Sequence, residues 1–143
     1  MAQAEHQQVV SVDRDRFFQA ITKYEDYPAF VDGCNSIQVE RKGPGEARTH
    51  YQMTIVRDVQ YTLDHKEFPD QGKMEWSLVK SDMLKKNSGR WELTALGDGK
   101  TQVKYAVEIE FAIPVPGFIL NQLVKSSIPS MIKSFEKRAK ALS

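Results

Sequence analysis

Between Ile37 and Ile113 apolar and polar residues alternate, run after run, and no stretch of helical spacing interrupts them. The last run is the cleanest. Val103, Tyr105, Val107, Ile109, Phe111 and Ile113 alternate with Gln102, Lys104, Ala106, Glu108, Glu110 and Ala112. Side chains on a strand point to opposite faces in turn, so each run has one apolar face and one wet face. The earlier runs repeat the pattern at Ile37 and Val39, at Tyr51, Met53 and Ile55, and at Tyr61 and Leu63. It returns at Met74, Trp76 and Leu78, and at Trp91, Leu93 and Ala95. Gly43-Pro44-Gly45 and Pro69-Asp70-Gln71-Gly72 read as turns, and Gly97-Asp98-Gly99-Lys100 as a hairpin. Strands that follow one another without helices between them form an antiparallel sheet, not a parallel one.

The flanking segments supply what such a sheet needs to cover its apolar face. Val9, Val10 and Val12 predict a short first strand. Asp13 is placed to cap a helix, because its carboxylate can accept from the free N–H groups of the first turn. Phe17, Ala20, Ile21 and Tyr24 then follow at the spacing of one helical face. A second short helix starts near Asp26, with Pro28 in its first turn and Tyr27, Phe30 and Val31 on its apolar side; Asp32-Gly33 ends it.

The most apolar segment is 111-FAIPVPGFILNQLVKSSIPSMIKSF-135. Asn121, Gln122, Lys125, Ser126, Ser127, Ser130 and Lys133 interrupt it, and a membrane span needs roughly 20 mainly apolar residues. It therefore predicts a long core-facing helix with Leu120, Val124, Ile128, Met131, Phe135, Ala139 and Leu142 inward. Lys125, Lys133, Lys137 and Lys140 lie opposite, and Pro129 should kink it. The order is β-α-α-β6-α: an α+β fold with a curved antiparallel seven-stranded sheet around a long C-terminal helix. Such a grip does not close perfectly, and a concave apolar space of ~300–1,000 Å³ is expected between sheet and helix.

That order resembles the helix-grip fold of START lipid-transfer domains, birch-pollen-allergen-type proteins and polyketide cyclases, the SRPBCC superfamily. The local matches are 24-YEDYPAFVDGCNSIQVE-40, 90-RWEL-93 and 117-GFILNQLVKSSIPSMIKSFEKRAKAL-142. They resemble the polyketide cyclase/dehydrase and lipid-transport group, and within it the coenzyme Q-binding START subfamily, which includes a ribosome-associated toxin. The resemblance spans nearly the whole chain, so 1–143 is expected to be a single START-like domain. None of the matched motifs is catalytic.

The residues themselves exclude several chemistries. The net charge is +1, which gives no global field for DNA. Cys34 is the only cysteine, so no internal disulfide can form, and a reducing compartment fits. MAQAEHQQVV has neither a basic nor an apolar leader region, and a cytoplasmic location is expected. His6, His50 and His65 show no metal-ligand spacing, so no metal and no cofactor is expected; His50 reads as a polar residue at a strand edge. Cys34 has no nameable base beside it and reads as a small hydrophobe. The glycine turns lack phosphate-loop spacing. No catalytic residue is assigned.

The binding candidates are the inward side chains. They are Tyr51, Met53, Tyr61, Trp76, Trp91, Tyr105 and Phe111 of the strands, and Phe118, Leu120, Val124, Ile128 and Met131 of the C-terminal segment. Arg57, His65 and Arg90 are candidate polar groups of the cavity, although Arg90 can equally pair with Glu92 or Glu108 outside it. The lysines of the last helix, together with Arg138, flank an apolar mouth that could touch the inner face of an anionic membrane. The expected function is non-catalytic carriage of an isoprenoid quinone or another lipid. The alternatives are a polyketide aromatase/cyclase and, as the resemblance implies, a ribosome-associated interaction module.

Overall fold

The computed structural model describes residues 2–54 and 58–142, and their side chains apart from those of residues 2, 120, 123 and 124. Ile55 and Arg57 therefore lie outside the described residues, as do the side chains of Leu120 and Val124. The chain runs β1 (Ala2–Val10), α1 (Arg14–Thr22), α2 (Tyr27–Phe30), β2 (Cys34–Gly43), β3 (Glu46–Thr54) and β4 (Asp58–Phe68). It continues β5 (Lys73–Ser81), β6 (Leu84–Gly97), β7 (Lys100–Phe111), α3 (Gly117–Gln122) and α4 (Ile128–Ala141). The strands form one curved seven-stranded sheet in the order β1-β7-β6-β5-β4-β3-β2, antiparallel at every pairing. This is the expected architecture.

Local chemistry explains the element ends. Asp13 Oδ1 accepts from the Arg16 N–H at 2.9 Å and caps α1. Pro28 sits in the first turn of α2. The β6–β7 hairpin turns on Asp98 and Gly99, both in the left-handed region at φ 56° and 71°. That is the two-residue turn whose twist matches its strands.

Three boundaries differ from the sequence expectation. β1 runs back to Ala2, because its polar residues pair along β7 from Gln3↔Glu108 to Val10↔Thr101. Val12 falls beyond the strand, although it is buried. β6 starts at Leu84, ahead of Arg90; a bulge between Leu84 and Lys86 and the non-apolar inward residues Asn87 and Gly89 hide its first half. The third concerns Pro129. It lies in the first turn of α4, preceded by a π-helical segment, Leu123–Ser127. A wide turn accommodates the missing N–H and the ring of a proline without ending the helix.

The core lies between the concave sheet face and α1, α2 and α4. Phe135 of α4 is its hub, with ring centroids 5.0 Å from Phe30, 5.3 Å from Tyr27, 5.3 Å from Trp91 and 6.4 Å from Phe17. Ile132, left out of the expected apolar face, is fully buried, as is Ala139. Arg138 is not a free surface cation. Its guanidinium bonds Asp26 at 3.0 Å and lies over the Phe30 ring, tying α4 to the α2 region.

Candidate functional site

Beyond the packed half, sheet and helix leave a cavity of about 620 Å³. The pleat decides what faces it. Tyr51 of β3 and Tyr61 of β4 are cross-strand partners whose rings stack at 4.8 Å. Trp76 of β5 stacks on Tyr105 of β7 at 5.4 Å, and Trp91 of β6 meets Tyr105 edge-on at 4.7 Å. The far wall is therefore an aromatic row. Met53, Phe111, Ile128 and Met131 complete the apolar lining from the strand ends and the helix. Along the helix, Gln122, Ser126, Ser130 and Ser134 repeat every four residues and give that lip a polar edge.

Two expected residues are placed elsewhere. Phe118 does not line the cavity; it is 72% exposed beside the mouth, and its neighbour Ile119 faces in. Within a helix, adjacent residues diverge by about 100°, so only one of the two can look inward. Arg90 projects from the outer face of β6 and pairs with Glu92 at 2.7 Å. It alternates with inward Trp91, so the pleat excludes it from the cavity.

His65 does reach the cavity, but both ring nitrogens are engaged. Nε2 lies 2.9 Å from Thr49 Oγ1 and Nδ1 lies 3.3 Å from Met74 Sδ. A thioether only accepts, so Nδ1 carries the proton and Nε2 accepts from the Thr49 hydroxyl. Burial pushes the imidazole down to about 3, so it stays neutral at ordinary pH. His50 is not at a sheet edge: β3 is an interior strand, and His50 bonds Thr62 and Glu40 at the sheet surface. Cys34 is buried at the rim, and desolvation pushes its thiol up to about 11. Burial likewise raises the Tyr51, Tyr61 and Tyr105 phenols, which remain protonated donors.

The sequence reading missed Asn87. It is 7% exposed, lines the cavity, and accepts from the Trp76 indole N–H at 3.0 Å. Asn87, Gly89, Trp91 and Leu93 share one parity on β6. Extending that strand backwards from Trp91 would have turned Asn87 inward.

A second concavity of about 720 Å³ lies on the outer sheet face, with Glu5, Asp64, Glu75, Arg90 and Glu108 around it. Its carboxylates are paired with neighbouring cations: Asp64 with Arg48, Glu75 with Lys73, Glu108 with Lys86 and Glu5 with Lys104. It is wide and lined by charged side chains, and an apolar molecule would gain little there. Among the described residues no three metal-ligating side chains cluster, and no helix is long and apolar enough to cross a membrane.

A seven-stranded antiparallel sheet gripping a C-terminal helix around an apolar cavity defines the helix-grip, START-like class. The chain belongs to the polyketide cyclase/dehydrase and lipid transport family, whose profile matches residues 10–136. It is 23% identical to the ribosome association toxin RatA of Escherichia coli K12, over 98% of this chain and 88% of that one. The fold matches a START superfamily protein from Mycobacterium smegmatis with a TM-score of 0.85, at 17% identity over 100% of both chains. It matches the Zhui aromatase/cyclase from Streptomyces sp. R1128 with a TM-score of 0.84, at 12% identity over 96% of this chain and 93% of that one.

Proposed function

We propose that the protein, acting as one START-like unit, binds and transports or chaperones a hydrophobic small molecule, an isoprenoid quinone or a lipid. The observation that carries this reading is the 620 Å³ cavity with its aromatic far wall. That volume falls within the ~300–1,000 Å³ of small-molecule sites. Burial there removes apolar surface from water at about 25 cal/mol per Å², which is the driving force for uptake. Tyr51, Met53, Tyr61, Trp76, Trp91, Tyr105, Phe111, Ile128 and Met131 form the ligand surface. Loading takes place at the inner face of a membrane, where exposed Phe118 and Lys125 meet the bilayer beside the mouth.

The cyclase reading draws less support from the site. Of its three polar groups, Arg90 faces outward, His65 has both nitrogens occupied within the protein, and Arg57 is outside the described residues. The likeness to RatA supports a second role at the ribosome, which co-sedimentation with purified subunits tests directly.

Titration with a long-chain quinone tests the carrier reading. Trp76 and Trp91 are in the wall, so saturable quenching of their emission is expected, with competition by unlabelled lipid. Linear, unsaturable quenching up to the ligand's solubility limit would contradict it.

A further inference from the structure

The polar groups of the cavity are not equivalent. The ring nitrogens of His65 are satisfied by Thr49 and Met74. Asn87 is different. An indole N–H can only donate, so the amide oxygen of Asn87 must be the atom facing Trp76 at 3.0 Å. That fixes the orientation of the side chain and directs its NH2 group, with two donors, away from Trp76. No acceptor among the described residues takes either donor. Asn87 is nevertheless more than nine-tenths buried, on the inward parity of β6, in the cavity lining. The NH2 group is not sealed in the packed core but opens on the cavity, so a ligand atom can reach it.

The sheet is built to hold this pair. β5 and β6 pair only from Lys73↔Glu92 to Trp76↔Gly89, and no further ladder joins them. Beyond that point the indole of Trp76 reaches across to Asn87, and its ring is stacked on Tyr105. Both side chains are thereby held in place before any ligand arrives.

The charge of the lining limits what the NH2 group can receive. Among the described lining residues Asp32 is the only carboxylate, and there is no lysine or arginine. An anionic ligand group would lose its water there with no cation among the described lining residues to replace it. A pure hydrocarbon would leave the amide donors unpaired.

We propose that Asn87, oriented by Trp76, is a polar anchor of the cavity, donating from its side-chain NH2 to an uncharged acceptor oxygen of the ligand, beside the phenol hydroxyls of the aromatic wall. The bound molecule is then a hydrophobic compound carrying a carbonyl, ether or hydroxyl oxygen, with that oxygen at the β6 wall. This rests on the carrier reading above and adds the specificity-determining contact to it.

The test uses two probes with one skeleton. 2,3-Dimethyl-1,4-naphthoquinone carries two carbonyl oxygens and no position open to thiol addition; 2,3-dimethylnaphthalene carries no oxygen. Equilibrium dialysis against the full chain gives both affinities. Replacement Asn87→Leu keeps the volume and removes the donors. It is expected to weaken quinone binding about tenfold, the factor one hydrogen bond carries, and to leave the hydrocarbon unchanged or tighter. A second measurement needs no variant. In protein labelled with 15N-asparagine, the Asn87 NH2 resonances should move on saturation with the quinone and stay in place with the hydrocarbon. Quinone binding that ignores Asn87→Leu, or leaves the Asn87 resonances unmoved, overturns the anchor while the carrier reading stands. If the wild-type protein binds neither probe, the carrier reading falls and the anchor falls with it.

Discussion

Gly89 lies directly beneath the indole of Trp76, its partner across β5 and β6: a Cβ built on Gly89 would fall 2.5 Å from the Trp76 ring and collide with the Ala106 carbonyl oxygen. Neither neighbour can yield freely, since one is backbone and the other is a stacked ring. Gly89→Ala is expected to destabilise the fold by roughly 1–3 kcal/mol, the usual cost of overpacking. It should also displace the indole from Asn87. Urea melts read the first effect and near-UV circular dichroism reads the second. A variant with wild-type stability and an unchanged tryptophan signal would contradict this geometry.

Phe135 should be the most sensitive position of the helix. Its ring touches the aromatic rings of α1, α2 and β6 at once. Phe135→Ala is expected to cost about 3–5 kcal/mol. On the opposite side, exposed Lys133→Ala should stay within about 0.5 kcal/mol of wild type. Denaturant midpoints at constant slope separate the two.

His65 gives the fold a definite acid limb. Its pKa is lowered by burial from 6.5 to about 3. Between those values the unfolded chain binds a proton at this site and the folded chain does not. Stability therefore rises with pH through the window and falls as the pH drops, by about 1.4 kcal/mol per pH unit from this residue alone. Above pH 6.5 the contribution is flat. His65→Gln removes it, so the stability of the variant should fall less steeply on acidification from pH 6 to 4. Parallel curves for the two proteins would refute the assignment.

The mouth makes a separable prediction. Phe118 is 72% exposed, and Lys125 is exposed at the start of the helical cover. Phe118→Ser should leave stability within about 0.5 kcal/mol of wild type, since little burial is lost. It should nevertheless reduce co-sedimentation with anionic phosphatidylserine vesicles at low salt. Lys125→Glu should act in the same direction, at about 1 kcal/mol per basic residue. Arg138 is committed to Asp26 and Phe30, so its replacement should show up in stability before it shows in vesicle binding. Vesicle binding that survives both mouth substitutions would place the contact surface elsewhere.

Much of this architecture was legible wherever periodicity was unbroken. The strict alternation of Val103 to Phe111 set the parity of β7, and with it the inward position of Tyr105. Capping chemistry at Asp13 and the spacing of Phe17, Ala20 and Ile21 located α1. Legibility failed where inward residues are not apolar or geometry departs from the ideal period. The inward positions of β6 ahead of Trp91 are Gly89 and Asn87, neither of them apolar, so the hydrophobic alternation stops at Trp91 and Asn87 is concealed. The bulge between Thr62 and Leu63 puts three consecutive residues, Tyr61, Thr62 and Leu63, out of solvent. The π-helical turn before Pro129 changes the angular spacing of the helix, so a 3.6-residue pattern projected from α4 back towards Phe118 points to the wrong side. Charges were the other difficulty. Arg90 and Arg138 each have a glutamate two residues away, yet Arg90 pairs with its own on the outer sheet face whereas Arg138 turns to Asp26 and clamps α4 to the α2 region.

The central claim is that the cavity holds a hydrophobic molecule, and native mass spectrometry of the purified chain after exposure to a mixed quinone and phospholipid extract tests it most directly. One retained molecule per chain, identified after organic extraction and displaced on filling the cavity by Met131→Trp, is the predicted result. A mass equal to the bare chain under every loading condition, with an intact fold, would contradict it.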